Sequence, residues 1–226
     1  MLDLGIAAIV AARMGSSRLP GKMMLDIAGK PMLWHVLDRV RQAKLVTEVV
    51  LATSTDPRNQ SLVELAENMS IRTYSGSEND VLGRYVEACA ENTNTVVRIT
   101  GDCPCIDPAV IDSALAFFFA GDYDVVTNRS SYPDGLDVEV LRVSVLRWMN
   151  QCVKNPKHRE HVTSFLYSGE VIELSIGRML HDYDISLLKL SVDTQEDLDR
   201  VRGVYEKLGS TFCLEDILAL EEIGGF

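Results

Sequence analysis

Three basic side chains lie in a short glycine-containing stretch near the start of the sequence. Arg13, Arg18 and Lys22 belong to residues 11–22, AARMGSSRLPGK, which follow the apolar run IAAIV. Glycine lets the backbone approach a ligand closely, and free amides at a helix start add positive potential. Arginine can hold two oxygens of one anion at once. This loop therefore predicts a phosphate-binding site, although a solvated surface loop with scattered charges has a similar composition.

Two familiar phosphate-binding motifs are absent from this stretch. A Walker A loop reads Gly-x-x-x-x-Gly-Lys-Ser/Thr, whereas here five residues separate Gly15 from Gly21 and Met23 follows Lys22. The Gly-x-Gly-x-x-Gly fingerprint of dinucleotide-binding folds is also missing. The pattern thus indicates a phosphate ligand but disfavours the P-loop ATPase and NAD-binding classes.

Two aspartates follow apolar segments further along the chain. Asp102 comes directly after residues 95–101, TVVRITG, and Asp193 follows residues 188–192, LKLSV. Both segments are predicted strands, so each carboxylate would stand at the carboxyl end of a strand, where parallel sheets bind ligands. Either aspartate alone would also suit a turn or a helix start. Mg²⁺ is held by a few carboxylates together with phosphate oxygens and water, so the aspartates and the basic loop together predict a two-carboxylate Mg²⁺ site.

The elements that must position these groups alternate between strand and helix over residues 1–128. Continuous apolar strands separated by amphipathic helices indicate parallel βαβ units with both faces of the sheet covered. Residues 194–208 predict a further helix, with Thr194 as N-cap and Asp197 three residues on. Residues 129–187 are less regular and predict an insertion or lid. The predicted strands are 6–10, 48–53, 71–75, 95–100 and 124–128, and the predicted helices between them are 32–40, 57–68, 80–92 and 107–119.

Composition excludes several kinds of partner. The chain has 226 residues and a formal net charge of −11, which argues against nucleic acid or an anionic membrane surface as partner. No run approaches the ~18 apolar residues of a membrane span, and the N-terminus lacks the basic start of a signal peptide. The five cysteines are odd in number and include no Cys-x-x-Cys. Cys103 and Cys105 could form half of a zinc site, but without a partner pair they predict reduced thiols in a cytoplasmic protein.

Five motifs carry a resemblance to a known family, and they run in order through most of the chain. They resemble the cytidylyltransferases that make CMP-activated sugar acids, such as CMP-KDO synthetase and CMP-acylneuraminate synthetase, and especially the spore-coat polysaccharide branch. The resemblance implies an α/β, Rossmann-like nucleotide-diphospho-sugar transferase fold with a mixed, mainly parallel sheet flanked by helices. It implies a single domain over 1–226, in which 129–187 is a small inserted sugar-side and dimerisation region. The motifs are AARMGSSRLPGKMMLDIAGKPMLWHVLDRV, RITGDCPCIDP, YPDGLDVEV, REHVTSFLY and SVDTQEDLDRVR.

The same resemblance implies roles for individual residues. Arg13, Lys22, Asp102 and Asp193 would be catalytic, and the two aspartates would hold Mg²⁺. His161 would orient the acceptor or bind its carboxylate, unless its role is structural. The residues expected at the nucleotide are Ala11, Ala12, Arg13, Gly15, Ser17, Arg18, Lys22, Arg84 and Asp102, and those expected at the acceptor are Asp137, Glu139, Glu160 and His161.

The implied reaction is Mg²⁺-dependent transfer of CMP from CTP to a 2-keto sugar acid, with release of pyrophosphate, for surface polysaccharide synthesis. The expected protein is a cytoplasmic homodimer. Ala11 stands where the KDO enzymes have proline, and 129–187 does not match their pocket in detail, so the acceptor stays open. Three alternatives remain: a nucleotidyltransferase with another nucleotide or a sugar-phosphate acceptor, a nucleotide-sugar-dependent glycosyltransferase, and a non-catalytic nucleotide-binding protein.

Overall fold

A central mixed sheet organises the chain. The computed structural model describes residues 5–170, 173–222 and 224, so the remaining residues of the expected single domain lie outside it. Within the described residues, the sheet has seven strands and a separate hairpin has two. The strands are β1 (Ile6–Ala11), β2 (Asp26–Ile27), β3 (Lys30–Pro31), β4 (Glu48–Ser54), β5 (Arg72–Gly76), β6 (Thr95–Thr100), β7 (Val125–Thr127), β8 (Glu139–Arg142) and β9 (Ile176–Arg178).

The order of the strands across the sheet is β5-β4-β1-β6-β8-β7-β9. β1 is parallel to both β4 and β6, β4 is parallel to β5, and β7 is parallel to β9. β8 is antiparallel to both of its neighbours, β6 and β7. The sheet is therefore mixed and mainly parallel, as the sequence predicts.

Helices cover both faces of the sheet. The helices are α1 (Met32–Val40), α2 (Gln60–Asn68), α3 (Val81–Ala88), α4 (Pro108–Ala120), α5 (Val143–Cys152), α6 (Pro156–Glu160), α7 (Gln195–Leu208) and α8 (Leu214–Glu222). One apolar core lies between one sheet face and α1, α2, α4, α7 and α8, and a second lies between the other face and α3, α5 and a 3₁₀ segment, Val162–Tyr167. Alternate residues of β1 point into the two cores, which is why the whole strand is apolar and almost entirely buried.

The predicted strands and helices of residues 5–128 are confirmed to within a few residues at their ends, but the predicted strand before Asp193 is wrong. Residues 188–192 make one isolated bridge, between Lys189 and Asp134, and belong to no strand. Their amides instead donate to loop carbonyls: Leu190 and Ser191 to Asp134, and Val192 to Asp102. The apolar residues belong to an extended, largely buried segment that packs on loops without extending the sheet.

The helix after this segment begins as predicted. Thr194 accepts a hydrogen bond from the amide of Asp197, and the Asp197 carboxylate accepts one from the amide of Thr194, which completes a capping box. Burial alone would raise the pKa of Asp197, but hydrogen bonds from Lys189 and from the amides of Asp193 and Thr194 hold it well below its ordinary value. This network fixes the backbone at Asp193.

The segment 129–187, predicted as an insertion, contributes β8 and β9 to the central sheet. β8 lies between β6 and β7, so this segment is joined to the strands that carry the predicted site residues. Its role on the acceptor side stays a prediction. No helix among the residues described is both long and apolar enough to cross a membrane.

Candidate active site

A cleft of about 380 Å³ opens where β1 and β6 end. The two strands are adjacent and parallel, with Ala11 paired to Thr100, so the residues that follow each strand emerge side by side. The amide of Gly101 donates to the carbonyl of Ala11 at 2.8 Å, which continues the pairing one residue beyond the strand. The basic loop and Asp102 therefore form neighbouring walls of one cleft.

The cleft collects most of the site residues that the sequence predicts. All residues expected at the nucleotide and the metal line it, as do two of the four expected at the acceptor. Met23, Val81, Tyr85, Arg98 and Thr100 also line it, although none of them is among the predicted site residues. The predicted residues in the lining are Ala11, Ala12, Arg13, Gly15, Ser17, Arg18, Lys22, Arg84, Asp102, Glu160, His161 and Asp193.

Lys22 stands at the centre of the charged groups. It begins a short 3₁₀ turn, Lys22–Met24, directly after Gly21, whose φ of 70° suits glycine. The Lys22 side chain is 7% exposed, and its ammonium donates to Asp102 Oδ2 at 2.9 Å and Asp193 Oδ1 at 3.1 Å. A third hydrogen bond, 2.6 Å long, goes to the carbonyl of Val192. The buried charge is thus matched by two carboxylates and one carbonyl.

Both aspartates are paired with neighbouring cations. Burial alone would raise the pKa of Asp102, but the charge and hydrogen bond of Lys22 outweigh it and lower the pKa below the ordinary value. Arg18 reaches Asp193 from the solvent side, with an N···O distance of 2.8 Å. The oxygens of both carboxylates therefore lie among cationic groups at the cleft.

The donor set is compatible with Mg²⁺ delivered by a nucleotide. Among the described residues, no group of three or more His, Cys, Asp or Glu side chains could hold a metal by itself. Mg²⁺, however, usually binds through one or two carboxylates and takes its remaining ligands from phosphates and water. Asp102 and Asp193, gathered around one ammonium, match that smaller demand.

Arg13 spans the mouth of the cleft. Its guanidinium lies 3.4 Å from Glu78 and 3.3 Å from Glu160, so it joins the basic loop to the segment that carries Glu160 and His161. The loop is anchored behind it by buried Asn59, whose side-chain oxygen accepts a 2.8 Å hydrogen bond from the amide of Met14. No pattern in the sequence marks Asn59, because an asparagine in a helical segment is usually a surface residue.

Arg84 of α3 is almost fully buried in the wall of the cleft. One guanidinium nitrogen donates to the carbonyl of Ser77 at 3.1 Å, while Nε is buried and has no acceptor among the residues that the structure describes. Burial lowers the pKa of Arg84. Asp80 caps the helix by accepting from the amide of Gly83, and it also binds Arg159 through two nitrogens, at 2.9 and 2.6 Å. This ion pair ties α3 to α6.

Asp137 and Glu139 do not line the cleft. Glu139 is 1% exposed and accepts hydrogen bonds from Arg98, Thr163 and Tyr167. Burial raises the pKa of Asp137 to about 6, with Arg129 as its ion-pair partner at 3.7 Å. Glu139 thus acts within the protein, behind Arg98, and direct contact of either carboxylate with an acceptor stays a prediction.

Proteins of known structure share this arrangement of elements. A cytidylyltransferase from Leptospira borgpetersenii serovar Hardjo-bovis superposes with a TM-score of 0.91 at 27% identity, over 98% of this chain and 95% of its own. A CMP:2-keto-3-deoxy-manno-octonic acid synthetase complexed with CTP gives a TM-score of 0.70 at 23% identity, over 90% of this chain and 99% of its own. The fold is that of the α/β nucleotidyltransferases.

Sequence comparison identifies the family. The family model described as cytidylyltransferase matches residues 7–221, and the chain belongs to that family. The spore coat polysaccharide biosynthesis protein SpsF of Bacillus subtilis is 29% identical over 218 residues, which are 90% of this chain and 88% of that protein. The 3-deoxy-manno-octulosonate cytidylyltransferase of Anaeromyxobacter dehalogenans strain 2CP-C is 27% identical, covering 88% of this chain and 97% of its own length.

Proposed function

We propose that this protein transfers CMP from CTP to a hydroxyl of a 2-keto sugar acid and releases pyrophosphate. The observation that carries the proposal is the meeting of three basic loop residues with two aspartates in one cleft. Relatives named as 3-deoxy-manno-octulosonate cytidylyltransferases support CTP and a sugar acid as the substrates. SpsF, named for spore coat polysaccharide biosynthesis, supports a role in making a surface polysaccharide.

The triphosphate would lie along the loop that follows β1. Arg13, Arg18 and Lys22 are each paired with carboxylates in the structure, so nucleotide binding exchanges those partners for phosphate oxygens. The exchange suits a strongly anionic ligand, because a guanidinium binds phosphate in the same bidentate geometry as carboxylate. Arg84, which also lines the cleft and lies near Arg13, would face the nucleoside end.

Asp102 and Asp193 would hold Mg²⁺ that enters with the nucleotide. When bound, the ion would supply charge neutralisation and polarise the reacting phosphoryl group. Asp102 is fixed by its position after β6, and Asp193 is fixed by the capping network of α7. The protein's own contribution is to hold both carboxylates together around Lys22 at the cleft.

Catalysis would depend mainly on positioning and on charge stabilisation, as in other phosphoryl transfers. The acceptor hydroxyl would attack the α-phosphorus in line with the departing pyrophosphate. Arg13, Arg18 and Lys22 would stabilise the negative charge that develops on pyrophosphate. Histidine is suited to take up a hydroxyl proton near neutral pH, and His161 lines the cleft on the side of Glu160.

The deciding experiment measures pyrophosphate release with each common nucleoside triphosphate and Mg²⁺. The acceptors would be 3-deoxy-manno-octulosonate (KDO), N-acetylneuraminate and glucose 1-phosphate. We expect release only with CTP and only with a sugar acid. Equal release with several nucleotides, or release with the sugar phosphate alone, would overturn the proposal, and release of nucleotide in place of pyrophosphate would indicate a glycosyltransferase.

The homodimer and the cytoplasmic location stay predictions from the resemblance. Among the described residues of the segment 129–187, five large apolar side chains are exposed, which is compatible with a subunit contact there: Trp148, Tyr167, Leu180, Tyr183 and Leu187. Light scattering on the purified full chain measures the assembly directly.

A further inference from the structure

Arg98 is a charged residue in an otherwise apolar strand, and it faces the cleft. It lies on β6 two residues before Thr100, so these two side chains share one face of the strand, and both line the cleft together with Asp102 of the following turn. Arg98 lies within β6, two residues before the last residue of the strand, whereas Asp102 follows the end of the strand. β6 lies between β1 and β8, and the residue of β8 that is paired with Arg98 is Glu139.

Glu139 holds the guanidinium of Arg98 in place. The Arg98 Nη1 atom donates to Glu139 Oε2 at 2.7 Å. The same carboxylate accepts from the Thr163 hydroxyl at 2.8 Å and from the Tyr167 hydroxyl at 2.9 Å. With 1% exposure and three donors of its own, Glu139 is fully engaged by the protein. Its effect on a ligand is therefore exerted through Arg98.

The guanidinium of Arg98 has donors to spare. In the described part of the chain, the guanidinium of Arg98 donates to Glu139, and its Nε atom is buried without an acceptor. Arg84, in the same cleft, also has a buried Nε without an acceptor, and Tyr85 lies near both guanidinium groups. A buried donor without a partner destabilises the folded state, because it has lost its hydrogen bonds to water. Two such groups in one cleft indicate a place prepared for an anion.

We propose that Arg98, oriented by Glu139, binds the anionic group of the acceptor and selects acceptors that carry one. This inference rests on the proposed function. The anion is assigned to the acceptor because Arg98 is linked to β8 and to the 162–167 segment, whereas the nucleotide loop follows β1 on the other side of β6. The site would take a carboxylate or a phosphate, since both offer paired oxygens to a guanidinium.

The test uses two variants of the full chain. Arg98→Lys keeps the charge but loses the planar fork of donors. The double variant Arg98→Met with Glu139→Gln removes the charge without leaving a buried unpaired carboxylate, and the amide introduced by Glu139→Gln can accept from one of the two hydroxyls of Thr163 and Tyr167 and donate to the other. CTP binding to each variant is measured first by calorimetry. KDO, its neutral carboxamide and glucose 1-phosphate are then titrated with CMP present.

We expect both variants to bind CTP within about twofold of the wild type and to bind KDO about tenfold or more weakly, as for the loss of a charge-assisted bidentate contact. The wild type should bind the carboxamide about as weakly as the variants bind KDO. Unchanged KDO affinity in both variants overturns the proposal, as does a wild type that binds neither anionic sugar. Loss confined to glucose 1-phosphate supports Arg98 as the anion ligand but overturns the sugar-acid acceptor.

A matched control distinguishes an effect at the cleft from the general effect of replacing an arginine in a strand. Arg72 on β5 also pairs with a strand glutamate, Glu48, at 2.6 Å, but it lies outside the cleft. Arg72→Lys should leave the affinities for CTP and KDO unchanged. A wild type that fails to bind CTP contradicts the proposed function and is recognised before any acceptor is added.

Discussion

The ammonium of Lys22 lies 2.9 Å from Oδ2 of Asp102, although the two residues are 80 positions apart in the chain. The contact joins the loop after β1 to the turn after β6, and Lys22 extends it to Asp193 ahead of α7. Three separate segments are thus linked through one buried charge. If Lys22 binds the nucleotide as proposed, the nucleotide displaces protein partners from it, and this exchange is part of binding.

Asp102→Asn should abolish most turnover while leaving the fold intact. The amide keeps the shape of the side chain, and Lys22 retains Val192 and Asp193 as acceptors. Loss of a carboxylate that would hold the metal should lower kcat on the order of 100-fold or more. Pyrophosphate release and the thermal midpoint measure the two effects, with the exposed Asp199→Asn as control. Undiminished turnover in Asp102→Asn would show that this carboxylate is not part of the machinery.

The sequence predicts the cleft well where chemistry and chain position agree. A basic loop after the first strand and an aspartate after the fourth are recognisable because parallel strands end at one edge of the sheet. Asp193 is predicted at the cleft for a partly wrong reason: Leu188, Leu190 and Val192 alternate as in a strand, but their segment packs on loops. Which hydrogen bonds an extended segment makes is decided by its tertiary neighbours, and local pattern does not encode it.

Two further residues show what pattern alone leaves out. Arg98 interrupts the apolar run TVVRIT, and a charge inside a buried strand is a usable signal for a functional residue. Glu139, in contrast, is predicted from the resemblance to face the acceptor. Glu139 is buried behind Arg98 because β8 pairs antiparallel with β6, and the irregular pattern of residues 129–187 does not predict this strand.

Gly101→Ala should disturb the cleft through backbone crowding. A Cβ at this position would lie 2.7 Å from the Ala12 Cβ and 3.0 Å from the Ala11 carbonyl oxygen. The loop after β1 must then shift, at a cost of about 1–3 kcal/mol in the free energy of unfolding. Urea unfolding measures this cost, and CTP affinity should fall in parallel.

The control for that substitution lies in α7. A methyl group added at Gly203 would have nothing within 4 Å, so Gly203→Ala should stabilise the helix by up to about 1 kcal/mol. Equal effects of the two substitutions would contradict a specific close approach between the ends of β1 and β6.

Asp137→Asn should stabilise the protein at neutral pH but not in acid. Burial raises the pKa of Asp137 from 3.8 to about 6, with Asp134 and Glu139 adding to the rise and Arg129 and Arg98 opposing it. A raised carboxyl pKa means that the folded state holds the proton more tightly, so the cost of ionisation is absent below pH 3.8 and complete above about pH 6. The difference between the two pKa values corresponds to at most about 3 kcal/mol.

Urea unfolding of the wild type and Asp137→Asn at about pH 7.5 and about pH 4 tests this linkage. The variant should be more stable at the higher pH, and the gap should close as the pH falls through the window between the two pKa values. A gap that is the same at both pH values would mean that the substitution acts by packing and not by removing a buried charge.

Arg159→Met should loosen the link between α6 and α3. Arg159 is bound by Asp80 through two nitrogens, and it also donates to Asn150 and to the carbonyl of Val153. Loss of these charged hydrogen bonds should lower the free energy of unfolding by about 2–3 kcal/mol. Asp80→Asn can still cap α3, so it should cost less, about 1 kcal/mol.

A double-mutant cycle of Arg159→Met and Asp80→Asn isolates the ion pair, for which we expect a coupling of about 1 kcal/mol because Asp80 is partly exposed. Glu160 and His161 directly follow Arg159, so the same loss should raise the KM for the acceptor more than the KM for CTP. Arg147→Met, on the exposed side of α5, is the matched control and should change neither. Equal rises in both KM values would mean that the Arg159–Asp80 ion pair acts through general stability. A rise in the KM for the acceptor alone would assign Glu160 and His161 to the acceptor side of the cleft.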